Sequence, residues 1–279
     1  AEGTPVVMGG GDGLCSNVGA GSVRPGRTFS CIGSSAWIAT TSEQPLFDEE
    51  MRTFTWAHIV PGLYSPTGTM QSAGSAYHWL KQQIAHWETA EGARLQCSPY
   101  DLINAEAAKS PIGSRGVTFL PYLLGERAPR WNPDATAAWL GVKMENERCD
   151  LFRAVLEGIT LNLNIILDVL RQSEPIDELL LIGGGAKGAV WRQILADVYG
   201  IRIRVPKLLD EATSMGAAVT GGVGVGIFKD FTAIDDILEI QAVVEPDADS
   251  HRAYAAVKER FEACYSAMRP LYAYLAAHG

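Results

Sequence analysis

Four glycine-bearing turns hold the residues of this sequence most able to do chemistry, and each follows a strand-like run. Glycine enters backbone conformations that other residues avoid, and it lets N–H groups come close to a phosphate. The first turn, GGGDG at residues 9–13, sets Asp12 past a strand-like run and at the start of a helical segment. Asp12 there is either a helix N-cap or a general base that takes a proton from an attacking hydroxyl. The second turn lies in SCIGSSAW, residues 30–37. It is either an ordinary turn or a phosphate clamp built from backbone N–H groups and the Ser34 hydroxyl.

The third turn is PYLLGERAP, residues 121–129, where the adjacent charges Glu126 and Arg127 suit surface or interdomain ion pairs. The fourth, LLLIGGGAKGAVW at residues 179–191, runs strand, glycine turn, helix, the layout of a nucleotide site at a helix N-terminus. It has neither the Gly-Lys-Ser/Thr of a Walker A loop nor the GxGxxG of a Rossmann turn. Lys187 is either solvent-facing or a phosphate contact.

The elements that must position these turns follow from apolar periodicity. Strand-like runs are expected at Thr4–Met8, Thr28–Ile32, Trp37–Thr41, Val117–Leu120, Leu179–Ile182 and Ile201–Val205. Phe54–Val60 and Leu63–Thr69, separated by Pro61-Gly62, predict a hairpin. Helices are expected over Ser72–Trp87, Pro99–Ala108 and Trp191–Tyr199, and the clearest has Phe152, Val155, Leu156, Ile159, Leu163, Ile166, Leu167 and Leu170 at three-and-four spacing. Ser214–Ile227 is rich in Gly and Ala, with poor helix propensity but the pattern of a tightly packed helix. Ala253–Ala277 predicts a long final helix with Pro270 as a kink point. The fold class is α/β, a mixed β-sheet with flanking helices, in one domain.

With 279 residues, 47% hydrophobic and 20% charged, the chain can bury a large core. A formal net charge of −9 argues against nucleic acid or an anionic membrane as partner. The five cysteines show no CxxC spacing, so free thiols in a reducing cytoplasm are expected and no metal site is assigned. The sequence starts at Ala1 on the threshold of a strand-like run, which reads as a chain cut from something longer.

Taken together and in order, these segments resemble the FGGY carbohydrate kinases, of the actin/hexokinase/Hsp70 ATPase superfamily with its ribonuclease H-like fold. The resemblance covers the chain from Gly3 to about Phe231. It is carried by GTPVVMGGGDGLCSNVGAG, by Gly33-Ser34-Ser35 in place of Gly-Thr-Ser, by FLPYLLGERAP, by GGGAKGAVWRQILADVYG and by EATSMGAA. It implies transfer of the γ-phosphoryl group of MgATP to a sugar hydroxyl, with ATP and Mg²⁺ as cofactors. Asp12 would be the catalytic base, Gly33, Ser34 and Gly125 would hold phosphates, and Gly184, Gly185 and Ala186 would line the adenosine pocket. All of residues 1–279 would form the C-terminal, nucleotide-binding domain. The family's N-terminal, sugar-binding domain, with its Asp-x-Gly-Thr loop, is not found in these residues and would be a partner, alongside the sugar and ATP; a homodimer is a further expectation. The motifs look most like xylulokinases, with FGGY gluconokinases close behind and WNPDA leaning toward the latter. A non-catalytic ATP-binding module of the same superfamily is the rival reading. Gly13 departs from the family's Asn or Gln and removes an amide beside Asp12.

Overall fold

Strand β1 (Thr28–Ile32) sits at the centre of a seven-stranded sheet, because its side chains are apolar or small on both faces and can be covered twice. The structure is a computed structural model that describes residues 2–278. The other strands are β2 (Ala36–Thr40), β3 (Phe54–Ala57), β4 (Tyr64–Met70), the short pair β5 (Thr118–Leu120) and β6 (Ala138–Leu140), β7 (Glu178–Ile182), β8 (Arg202–Pro206) and β9 (Ile240–Val244). The large sheet has the order β3-β4-β2-β1-β7-β8-β9. β1, β7 and β8 are parallel neighbours, and every other neighbouring pair is antiparallel. The expected mixed sheet is therefore present, and β5 and β6 pair separately.

The helices are α1 (Asp12–Gly19), α2 (Gly74–Gln83), α3 (His86–Leu95), α4 (Pro99–Ala107), α5 (Arg148–Leu170), α6 (Ala189–Tyr199), α7 (Ala212–Gly224), α8 (Ile234–Ile237) and α9 (Ala248–His278). α5 is the core helix: Phe152, Val155, Leu156, Ile159, Leu163, Ile166 and Leu167 are fully buried. Its first turn is tied by Asp150, whose carboxylate accepts the Glu147 N–H at 3.0 Å, the Ser110 hydroxyl at 2.6 Å and the Arg115 guanidinium at 2.8 Å. Those bonds hold the Asp150 carboxyl down at about 2. α5 and α6 share the main core with Ile32, Ala36 and Ile38 from one face of the sheet. On the other face, Phe29, Ala39, Leu180 and Ile182 pack with Ala20 after α1 and Ala212 of α7.

The structure departs from two of the expected elements. Thr4–Met8 is not a strand: it belongs to no sheet among the described residues, and Val6 and Met8 are exposed. A short run suits a strand only where a neighbour supplies the hydrogen bonds, and Pro5 has no N–H to give to one. The stretch 72–87 divides into α2 and the start of α3, with Ile84 and Ala85 between them outside helix. The expected long final helix is present as α9, with Pro270 inside it.

Candidate active site

Asp12 is the first residue of α1, and Gly11 occupies the N-cap. The capping role is therefore taken by a glycine backbone. The Asp12 Oδ1 accepts a bond from the adjacent Gly13 N–H at 2.9 Å, and the side chain is exposed. The helix beneath it is firmly seated. Asn17 donates through Nδ2 to the Ser65 hydroxyl at 2.7 Å, and Ser16 shares a 2.7 Å hydroxyl–hydroxyl bond with Thr213 of α7. α1 and α7 touch through backbone: a Cβ at Gly19 would stand 1.7 Å from the Ala212 carbonyl oxygen, and one at Gly216 1.8 Å from that of Cys15. The glycines of the poor helix former α7 are thus what allow it to lie against the helix that carries Asp12.

Asp12 lines a cleft of about 510 Å³. Its walls combine the aromatic rings of Trp37, Phe54 and Trp56 with the polar groups of Asn17, Ser65, Thr67 and Thr69. Asn17 is 2% exposed and its Oδ1 has no hydrogen-bond partner among the described residues, nor has the buried Thr69 Oγ1. Unpaired buried acceptors and hydroxyls are costly, so this cleft is suited to a ligand that carries hydroxyl groups.

A second cleft, about 710 Å³, lies beyond the ends of β1 and β7. Gly33 and Ser34 line one side, Gly184 and Gly185 another, and Tyr77, Tyr100 and Trp191 add aromatic wall. The carbonyls of Gly33 and Ser34 accept from the first amides of α2 and its approach: Gly74 N at 2.9 Å, Ala73 N at 3.1 Å and Ser75 N at 2.9 Å. In a trans peptide the N–H points opposite to the C=O, so the Ser34 and Ser35 N–H groups face away from α2. Gly183, at φ 85°, turns the chain beside the Ile32 carbonyl, and Gly185 presses on the Ile32 side chain. Gly184 differs: a Cβ there would meet nothing within 4 Å, only the open cleft. Residues 184–187 form a 3₁₀ turn before α6, in which Ala186 is buried and lines neither cleft. Lys187 reaches the second cleft but pairs with Asp210 at 3.4 Å, both side chains well exposed.

Gly125 also lines neither cleft. Its φ is 66°, and a Cβ would meet the Pro133 carbonyl oxygen at 2.4 Å, so it shapes the loop. Glu126 next to it is buried, not a surface pair. Its carboxylate accepts from the Gln71 N–H at 2.8 Å, the Arg127 N–H at 3.0 Å and the Asn162 Nδ2 at 2.9 Å. Burial outweighs these bonds and pushes its carboxyl up to about 7.

A sequence model described as "FGGY family of carbohydrate kinases, C-terminal domain" matches residues 29–225. The chain belongs to the FGGY family. Gluconokinase of Bacillus subtilis is 32% identical over 264 residues, covering 92% of this chain and 50% of its own. Xylulose kinase of Staphylococcus epidermidis is 31% identical over 268 residues, covering 95% and 52%. The crystal structure of xylulose kinase from Rhodospirillum rubrum superposes with a TM-score of 0.84 at 29% identity, over 98% of this chain and 53% of that one. The fold is thus that of the FGGY kinases, of the actin/hexokinase/Hsp70 ATPase type. The chain spans about half the length of the curated relatives it matches.

Within this FGGY domain, the structure gathers Gly33, Ser34, Gly184 and Gly185 at one cleft and Asp12 at the other. Sequence reasoning missed Asn17, Trp37, Ser65, Thr67 and Thr69. A signal was available in the period of two: Trp37 and Ala39 on β2, and Ser65, Thr67 and Thr69 on β4, point to one face of the sheet.

Proposed function

We propose that this chain is the nucleotide-binding half of a carbohydrate kinase that phosphorylates a sugar hydroxyl with ATP, most like a xylulokinase. The observation that carries this reading is the β1–β2 hairpin, which contributes Gly33 and Ser34 to the glycine-lined cleft and Trp37 to the Asp12 cleft. A nucleotide seated with its base near Tyr77 and Trp191 can run its phosphates past Gly33 and Ser34. Its terminal phosphate then arrives beside Asp12. The sugar occupies the aromatic and hydroxyl-lined cleft, where Asp12 orients the acceptor hydroxyl and takes its proton.

The residues present fit the cofactor. Gly184 leaves open the space that a side chain would fill. Mg²⁺ keeps most of its ligands as water and phosphate oxygens, so it would ride on the phosphates and leave the exposed Asp12 carboxylate free to take the proton. Bound to the phosphates, Mg²⁺ would neutralise part of their charge. The chain's own residues supply positioning and a proton acceptor, which is most of what phosphoryl transfer needs.

Gluconate is the second reading, since a gluconokinase and a xylulose kinase match almost equally well. The exposed carboxylate of Asp12 in a ligand-sized cleft favours a kinase over a non-catalytic ATP-binding module. An N-terminal domain would close the Asp12 cleft. Val6, Met8, Phe47, Met51, Trp56 and Trp131 are large apolar side chains left exposed, which suits contact with a partner surface.

The test mixes the chain with MgATP and a panel of ketoses, aldonates and polyols, with and without the N-terminal domain. Sugar-dependent ADP release only in the mixture is expected, with weak ATP binding by the chain alone. Vigorous turnover by the chain alone would contradict the half-kinase reading, and no turnover in the mixture would sink the kinase reading.

A further inference from the structure

The loop at 121–135 brings a cation to the acceptor side of the site. Arg127 lines the cleft that contains Asp12, and it is the only Lys or Arg among the described residues lining that cleft. Its side chain is exposed, and it has neither an ion pair nor a side-chain hydrogen bond among the described residues. The contrast with its neighbours is direct. Arg130 is bidentate on Glu262 at 3.0 and 2.6 Å and lies over the Tyr265 ring, and Arg52 is bidentate on Asp48 at 3.0 and 2.6 Å. Arg127 and Asp12, opposite in sign, share a cleft without forming an ion pair, which leaves room for a ligand group between them.

The backbone beneath Arg127 is held on every side. Its N–H donates to the buried Glu126 carboxylate, which is itself tied to Gln71 and Asn162. Its carbonyl accepts from Arg130 N at 2.8 Å and Trp131 N at 2.6 Å. Glu126 and Asn132 exchange two backbone bonds at 2.9 and 3.0 Å across the base of the loop. A fixed main chain and a free guanidinium together describe a side chain delivered to a ligand.

We propose that Arg127 binds the phosphoryl group during its transfer to the acceptor hydroxyl, and then the phosphomonoester product. This rests on the kinase reading above. In the transfer, the acceptor oxygen forms a bond to the γ-phosphorus while the bond from that phosphorus to the βγ-bridging oxygen breaks. The hydroxyl proton passes to Asp12, and ADP leaves with the bridging oxygen. Charge accumulates on the peripheral oxygens of the moving group, next to the Asp12 carboxylate that repels it. Gly13 supplies no side chain there, and Lys187 is in the other cleft with Asp210 beside it. The planar fork of Arg127 matches two phosphoryl oxygens at once, which a lysine cannot do.

The test compares Arg127→Met and Arg127→Lys with the unaltered chain, each assembled with the N-terminal domain and assayed with a neutral ketose and an aldonate. Arg127→Met should lower kcat by roughly 10³-fold, the lower range for an arginine that stabilises phosphoryl transfer. KM for the neutral ketose should stay within a few-fold, and inhibition by the sugar phosphate product should weaken about tenfold or more. Arg127→Lys should recover part of kcat, because it keeps the charge and loses the fork. Thermal unfolding and ATP calorimetry on the chain alone should be unaltered by either change. A loss confined to KM for the aldonate would overturn the proposal and assign Arg127 to the carboxylate of an acidic acceptor. Loss that tracks weaker association of the two domains, read by sedimentation, would also overturn it, marking a domain contact. No turnover in the unaltered kinase sinks both readings; full turnover by Arg127→Met sinks only this one.

Discussion

Ser34 and Trp37, three residues apart on the β1–β2 hairpin, line different clefts: Ser34 the glycine-lined one and Trp37 the one that contains Asp12. The turn between them places the two sites at opposite sides of one short loop. A ligand reaching from one cleft to the other must cross it, and the carbonyls of Gly33 and Ser34 are already fixed on the α2 approach. The turn is therefore rigid before any ligand arrives.

Asp12→Asn should leave the chain folded, because Gly11 holds the N-cap and Asp12 is exposed. Its effect on stability should lie within about 0.5 kcal/mol. As a lost general base it should slow sugar phosphorylation by roughly 10²–10⁴-fold with ATP affinity little changed. Steady-state kinetics on the assembled kinase and calorimetry on the chain check both halves. Retained turnover would remove Asp12 from the chemistry.

Gly184→Val and Gly185→Val should separate binding from folding. At Gly184 the new side chain enters open space, so the chain should fold and bind ATP more weakly. At Gly185 even the Cβ would stand 2.5 Å from the Ile32 side chain, so loss of about 1–3 kcal/mol of stability is expected. Thermal melts and ATP calorimetry on the two variants decide it. Unaltered nucleotide affinity in Gly184→Val would detach this turn from the site.

Gly216→Ala tests whether helix contact positions the base. The added methyl would lie 1.8 Å from the Cys15 carbonyl, and neither backbone can yield without moving α1 from α7. A stability loss of about 1–3 kcal/mol or more should come with a fall in turnover, measured on protein shown to be folded at the assay temperature. Normal melting and normal rate would mean that the two helices tolerate separation.

Glu126 makes stability fall with rising pH. Its carboxyl, at about 7 in the fold, titrates near 4.5 when unfolded, so between those values the folded chain binds the extra proton. The slope of unfolding free energy with pH is then negative across about 4.5 to 7, and the cost is fully developed above 7. It can reach about 3 kcal/mol as an order of magnitude. Glu126→Gln should flatten this decline relative to the unaltered chain in denaturant melts taken from pH 4.5 to 8. Parallel profiles for the two proteins would show that the carboxyl is already ionised in the fold.

Much of the fold was legible because it is written in local periodicity. β1 falls at Thr28–Ile32 as expected, and α4, α5, α6 and β7 lie within a few residues of their expected bounds. Each has a pattern that one backbone geometry satisfies. That Asp12, Gly33, Ser34, Gly184 and Gly185 fall at turns was readable for a similar reason: turns that need glycine carry it in the sequence. The segment 4–8 went astray because strand formation depends on a neighbour as well as on composition, and it joins no ladder of the sheet among the described residues.

Tertiary structure alone decided how these pieces meet. No local pattern says that Asn17 of α1 will bond Ser65 of β4, or that Trp37 will stand in the cleft of Asp12. Nor does one say that Glu126 is a buried acceptor for Gln71 and Asn162 while the adjacent Arg127 lines the Asp12 cleft with no ion pair among the described residues. Such relations join residues tens of positions apart, and they arise only when the sheet order and the glycine contact of α1 with α7 set one element on another. By itself the sequence determined which groups can do chemistry, because residue type sets charge, hydroxyl and backbone freedom. The fold decided which of them share a cleft, because distance between side chains is a property of packing.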